Sequence, residues 1–319
     1  MTAEITSIEY FLPKKRIDLK KLCKKNNWPY KKVMQATGIK YRYQSAKNET
    51  ALDLALSACK KLKYNNKTID ALIYVTQSPE YLLPTTACII QKKLNLRNDI
   101  LAFDINQGCS GFVYGLFTAY SFLKQKGINK ALLICSDTYT KYIKQGDRSC
   151  ETIFSDGASA TIIKKNPQKK SSFIFGTDGS GSKNLIVENS ASNFKINQEP
   201  KIFMDGKKVF LFTMTNIPNV MLNLLKIDKM NLSNIKYFIF HQASKAVIDN
   251  LVRKLNLPRK KVFCNYEKIG NTVSSTIPIA IRDLLKNKKI KKGDKILLCG
   301  FGVGYSVAAT IIEYWIWYC

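Results

Sequence analysis

The chain has 319 residues, 45% of them hydrophobic and 23% charged, which is ordinary globular usage and excludes a disordered protein. At ~100–200 residues per domain, it holds two domains or one large α/β unit. Lysine and arginine number 51 against 23 acidic residues, a net charge of +28, so the reading is either attraction to polyanions or a solvated lysine-rich surface.

Strand-like and helix-like segments alternate, which predicts an α/β fold. Ala71–Val75 reads as a strand, a second strand ends near Asn106, and a helix begins near Cys109 and covers residues 116–126. Residues 131–135 and 158–163 read as buried strands, and 164–172 as an exposed connection. The second half repeats this layout. Tyr237–Phe240 is a strand ending at His241, Lys245–Lys254 a helix, 262–265 a strand, 277–286 a helix and 295–299 a strand. Residues 311–318 read as a terminal buried strand.

Two echoes point to duplication. Ala160-Thr161-Ile162-Ile163 recurs as Ala309-Thr310-Ile311-Ile312. Gly108-Cys109 and Gly270-Asn271 each lead into a helix and then a strand. This predicts two related halves, 1–165 and 166–319, meeting at a pseudo-dyad with Cys109 and Asn271 in equivalent places. A junction of that kind is a preferred place for a ligand.

The nine cysteines are odd in number and form no C-x-x-C pair, and the N-terminal residues lack signal-peptide character. No apolar run approaches the roughly 20 residues of a spanning helix. The expectation is a cytoplasmic protein. One histidine excludes any multi-histidine metal site.

Cys109 lies between a strand end and a helix start, where the helix dipole favours thiolate and lowers the pKa. Gly108, Ser110 and Gly111 leave room for a carbonyl, and backbone N–H groups there suit an oxyanion. The plain alternative is a buried structural cysteine. His241 follows an apolar strand, at the C-terminal strand end where α/β sites are built, with Ser244 or Gln242 placed to cap the next helix. A satisfied polar residue at a strand end is its alternative. For Asn271, turn chemistry explains the Gly270-Asn271 step as well as catalysis does. Residues 300–305 form a glycine-rich loop between strands that lacks a phosphate-loop Lys-Ser/Thr, so close backbone approach at Gly302 is the better reading. Cys, His and Asn together also suit a papain-like protease, but the tryptophan-flanked cysteine signature is absent.

The chain resembles the β-ketoacyl-acyl-carrier-protein synthases III, condensing enzymes of the thiolase fold. The likeness runs nearly end to end. It includes Phe11-Leu12-Pro13, Ala36-Thr37-Gly38-Ile39, Gly108-Cys109-Ser110-Gly111-Phe112, Asp147-Arg148 and Ser155-Asp156-Gly157-Ala158. It closes with His241-Gln242-Ala243, Gly270-Asn271-Thr272 and Gly302-Val303-Gly304. The resemblance implies a duplicated αβαβα arrangement, a homodimer and no resident cofactor. Cys109 takes an acyl primer, from acyl-CoA or an acyl carrier protein. The N–H groups of Cys109 and Gly302 form the oxyanion hole. His241 and Asn271 stabilise the enolate left when malonyl-acyl carrier protein loses carbon dioxide.

The resemblance also assigns Leu83, Arg148 and Phe210 to the substrate. It assigns Lys245, Arg253 and Lys254 to an acidic acyl carrier protein, against the alternative of a solvated basic face. Lys32 and Ala36 stand where CoA-primed members carry an adenine-stacking tryptophan and an arginine, which favours a carrier-protein primer. Leu83 replaces an aromatic residue that a partner subunit contributes to the acyl pocket, which suggests a different or longer primer. Two rivals complete the reading: an acyltransferase paralogue that does not condense, and a basic protein that binds nucleic acid or membrane. No zinc spacing, basic-aromatic motif or basic amphipathic helix supports the second.

Overall fold

A computed structural model of the chain describes residues 3–287 and 290–314. The first half runs β1 (Ala3–Phe11), β2 (Lys15–Asp18), α1 (Leu19–Lys25), α2 (Tyr30–Thr37), β3 (Tyr41–Gln44), α3 (Ala51–Cys59), β4 (Ala71–Val75), α4 (Thr86–Lys93), β5 (Leu101–Ile105), α5 (Gly111–Phe122), β6 (Lys130–Asp137), α6 (Arg148–Glu151) and β7 (Gly157–Lys165). The second runs β8 (Phe173–Thr177), β9 (Leu185–Glu188), β10 (Lys201–Met204), α7 (Gly206–Ile227), β11 (Tyr237–Phe240), α8 (Lys245–Lys254), α9 (Tyr266–Ile269), α10 (Thr276–Lys286), β12 (Lys295–Gly302) and β13 (Ser306–Glu313).

One sheet has the order β1-β7-β6-β4-β5 and the other β8-β13-β12-β11. In each, a parallel pair (β4 with β6, β11 with β12) is followed by two antiparallel neighbours. Strands covered on both faces need apolar residues throughout, and all of β4 is buried. Helices α5 and α10 lie between the sheets in one core with Ile73, Leu133, Ile296 and Leu298. Helices α3 and α4 cover the outer face of the first sheet, and α7 and α8 that of the second. This is the duplicated αβαβα arrangement. The repeated Ala-Thr-Ile-Ile segments fall on β7 and β13, which hold equivalent positions in the two sheets.

Several expected elements differ. The helix expected to begin near Cys109 and cover 116–126 is α5, which starts at Gly111 behind Ser110 as expected. It ends at Phe122, before Gly127 turns the chain at φ +88°. Residues 262–265 form no strand. Only Val262 bridges Phe238, while the Val262 carbonyl accepts from Arg259 and the Asn265 N–H donates to the Gln242 side chain. Side chains thus take the groups a fifth strand would have paired. The connection expected over 164–172 begins at residue 166, since β7 continues through Lys165. Gly300 to Gly302 belong to β12 and not to a loop. The terminal strand ends at Glu313, and residues 315–318 of that expectation lie outside the described residues.

Candidate active site

Cys109 sits between β5 and α5, 4% exposed. Strand β12 presses against it: a Cβ built on Gly302 would stand 2.8 Å from Cys109 Cβ and 2.9 Å from its Sγ. A Cβ on Gly300 would stand 2.9 Å from the Cys109 carbonyl oxygen. Only glycine leaves that space, so the two glycines set the thiol's distance from the strand. Burial pushes the Cys109 thiol up to about 12, and the charge of Asp137 adds to it. The N–H groups of Val303 and of Cys109 itself pull the other way. The lowered pKa expected from a helix start is therefore reversed, because lost solvation outweighs a half-charge at the helix end.

His241 follows β11, 2% exposed. Burial lowers its pKa from 6.5 to about 3, so the ring is neutral. Its Nδ1 lies 2.7 Å from the Thr276 hydroxyl, and Phe301 meets the ring edge-on at 5.7 Å between centroids. Ser244 caps α8 by accepting from the Val247 N–H. Gln242 has a different task. It donates to the Phe240 carbonyl and accepts from the Asn265 N–H, fixing the loop that carries the histidine.

Asn271 lies just before α10, the place equivalent to that of Cys109 before α5. Its backbone bonds cross to the first half, with Asn271 N–H on the Ile153 carbonyl and Ser155 N–H on the Asn271 carbonyl. Its Oδ1 accepts from the Val273 N–H at 2.9 Å, which leaves the amide NH2 end toward the cavity that Asn271 lines. Nearby, the buried Asp137 accepts from Gln77 N–H, Ser274 N–H and the Ser274 hydroxyl.

Cys109, His241, Asn271, Gly302 and Phe210 line one cavity of about 460 Å³. Its mouth is a second recess that holds Lys32, Ala36 and Arg148 and shares Thr37, Ile153 and Met204 with the cavity. The family model of the 3-oxoacyl-[acyl-carrier-protein] synthase III matches residues 103–179, and that of its C-terminal part residues 225–314. A β-ketoacyl-[acyl-carrier-protein] synthase III of Coxiella burnetii is 32% identical over 318 residues, covering 98% of this chain and 99% of its own. The chain belongs to the 3-oxoacyl-[acyl-carrier-protein] synthase III family. A crystal structure of 3-oxoacyl-(acyl-carrier-protein) synthase III matches with a TM-score of 0.95 at 34% identity, over 98% of this chain and 100% of that one. That of a 3-oxoacyl-(acyl-carrier-protein) synthase from Burkholderia xenovorans LB400 matches at 0.94 and 30%, over 99% and 95%. The fold is therefore that of the thiolase-type condensing enzymes, and the activity is the condensation of the synthase III family.

The remaining expected residues do not all meet in this synthase III cavity. Arg148 is at the mouth and Phe210 on the wall; Leu83, expected to reach a partner subunit's pocket, is 83% exposed and outside this chain's own lining. Lys245, Arg253 and Lys254 are exposed on α8. Lys245 pairs with Asp249, one turn before Arg253, so the basic face is interrupted by a carboxylate. Thr276, Val303 and Asp137 were not singled out from sequence. Val303 stands inside the Gly302-Val303-Gly304 motif and Thr276 five residues after Asn271, whereas Asp137 reaches Ser274 across 137 residues and no local motif marks it. Among the described residues no metal-binding group of His, Cys, Asp and Glu occurs, and no helix is long and apolar enough to cross a membrane.

Proposed function

We propose that Cys109 accepts the primer's acyl group and that His241 and Asn271 stabilise the enolate formed from malonyl-acyl carrier protein. The single observation that carries this reading is the cavity all three share with Gly302. In the first step, Cys109 Sγ bonds to the thioester carbonyl carbon. The bond from that carbon to the carrier sulfur breaks, and the carrier thiol leaves with the proton that Cys109 gives up. In the second, the malonyl C–C bond to the carboxylate breaks. Carbon dioxide leaves, and the electron pair forms an enolate whose oxygen accepts from the neutral His241 ring and the Asn271 amide. The enolate carbon then attacks the acyl carbon on Cys109, the C–S bond breaks, the Cys109 thiolate takes a proton from solvent, and a β-ketoacyl thioester departs.

Neutral donors suit this step. An imidazole held uncharged by burial gives a hydrogen bond without needing a proton acceptor. The Thr276 hydroxyl lies 2.7 Å from Nδ1 and donates to the Val273 carbonyl at 3.0 Å, which fixes the orientation of the ring. The backbone N–H groups of Cys109 and Gly302 serve as the oxyanion hole of the first step.

A carrier-protein primer is favoured over acyl-CoA, because the mouth lined by Lys32, Ala36 and Arg148 has no aromatic lining residue to stack an adenine. We read the halves as 1–165 and 166–319, supported by their matching strand orders. A homodimer is supported by the exposed apolar run Tyr81, Leu82 and Leu83 and by the uncovered edge of β5. A cytoplasmic setting is supported by the described cysteines, which are all free thiols.

The test is intact mass after incubation with acyl-CoA and acyl-carrier-protein thioesters, for wild type and Cys109→Ala. A Cys109-dependent adduct that malonyl carrier protein discharges, with release of carbon dioxide, is expected, and the carrier-protein donor should load faster. An adduct that forms equally on Cys109→Ala would sink the assignment.

A further inference from the structure

Another recess, of about 640 Å³, lies among the paired strands β2 and β3, α1 and the segment leading into α6. It shares no lining residue with the catalytic cavity or its mouth. The chain between β6 and β7 serves both places. Thr140, Gln145 and Glu151 face this recess, whereas Gly146, Asp147 and Arg148 line the mouth.

Arg42 is 5% exposed, and its Nε and Nη1 are buried with no hydrogen-bond partner. The carboxylates whose charge reaches it are Glu151 and Asp156. Asp156 is fully engaged elsewhere, accepting from the N–H and hydroxyl groups of Ser45 and Thr140. Glu151 accepts from the Gly146 N–H. A guanidinium taken out of water with idle N–H groups is destabilising unless an acceptor meets them.

The rim adds charge of the same sign. Lys15, Arg16, Lys21 and Lys25 are exposed around the opening. Against them the rim sets Asp18, whose carboxylate already accepts from the Lys20 and Lys21 N–H groups. Arg16 lies over the Tyr41 ring at 4.4 Å, which holds its guanidinium in place while leaving its N–H edge available. The lining includes no aromatic side chain to stack a base.

We propose that this recess binds a small phosphate-bearing anion of the diphosphate class, with the Arg42 fork at its floor and the rim cations around it. A guanidinium fork matches phosphate oxygens two at a time, and a second phosphate reaches the lysines that a carboxylate would leave unused. The recess reads phosphates and not a base. The proposal is independent of every catalytic assignment above.

The test is calorimetric titration of the full chain with inorganic phosphate, inorganic diphosphate and ADP at fixed ionic strength. Saturable one-to-one binding of diphosphate is expected, weakened about 10-fold or more by Arg42→Gln and by Lys21→Glu, and unchanged by Lys32→Glu at the other recess. If Arg42→Gln does not fold, Lys21→Glu and Lys25→Glu carry the comparison. ADP binding as tightly as diphosphate supports the site and makes a nucleotide the source. Weaker ADP binding supports it with the inorganic anion as source. No saturable binding of any of the three, or binding lost in Lys32→Glu and kept in Lys21→Glu, overturns it.

Discussion

Substituting Gly302 by alanine probes the contact that places the nucleophile. The new Cβ would lie 2.8 Å from Cys109 Cβ and 2.9 Å from Sγ. Reaching ordinary contact requires about 0.6 Å of movement. Strand β12 has little room to retreat, since it is paired on both edges with β11 and β13 and backed by α7. The displacement therefore falls on the thiol. Overpacking of this kind costs about 1–3 kcal/mol, and a 1 Å misplacement of a reacting group costs on the order of 100-fold in rate. Gly302→Ala is thus expected to fold with a slightly lower unfolding temperature and to acylate Cys109 about 10- to 100-fold more slowly. The assay is a time course of the acyl adduct by intact mass, with thermal unfolding measured on the same preparation. Acylation within twofold of wild type would refute the argument that glycine at 302 sets the thiol's position.

Alkylation of Cys109 by iodoacetamide, followed on its own peptide, should rise about 10-fold per pH unit from pH 7 to pH 9 without levelling, because burial holds the thiol near 12. A plateau near pH 7 would mean a resting thiolate. Thr276→Val removes the hydroxyl at Nδ1 of His241, so malonyl decarboxylation should fall about 10-fold while Cys109 acylation is kept. Equal losses in both half-reactions would deny Thr276 a part in positioning the His241 ring. Asp137 is raised from 3.8 to about 7 by burial, so the folded chain holds a proton that the unfolded chain releases. Stability is expected to fall as pH rises between those values, by up to about 1.4 kcal/mol per pH unit, and to fall less in Asp137→Asn. Parallel denaturation profiles for the two proteins would contradict the shift.

What could be read from the sequence was what local chemistry decides. Helix α8 has the bounds its pattern announced, Lys245–Lys254, because Ser244 caps one end and its apolar face is regular. The strand ends beside Cys109 and His241 were legible for the same reason. Helix α7 was missed: Pro218 lies inside it and reads as a break, although the buried Phe212, Ile217, Met221 and Leu224 hold one face against the second sheet. The state of Cys109 was misread because a helix dipole is visible in the chain, while the burial that outweighs it comes from β12, nearly two hundred residues later.

Duplication accounts for the meeting of the groups proposed as catalytic. Helices α5 and α10 form the middle layer, and the residues before each, Cys109 and Asn271, come from equivalent points of the two halves. A Cβ on Gly111, at the start of α5, would lie 3.6 Å from Ser274, just before α10, so the two helix starts converge. The second sheet adds His241 from the end of β11 and Gly302 from the end of its neighbour β12. The symmetry brings equivalent positions together but does not make their chemistry alike. One half contributes a thiol, and the other an amide and an imidazole, held neutral and aimed by Val273 and Thr276. On the proposed assignment the cavity therefore joins a nucleophile to donors for a developing oxyanion, the pair that an acylation followed by a decarboxylation requires.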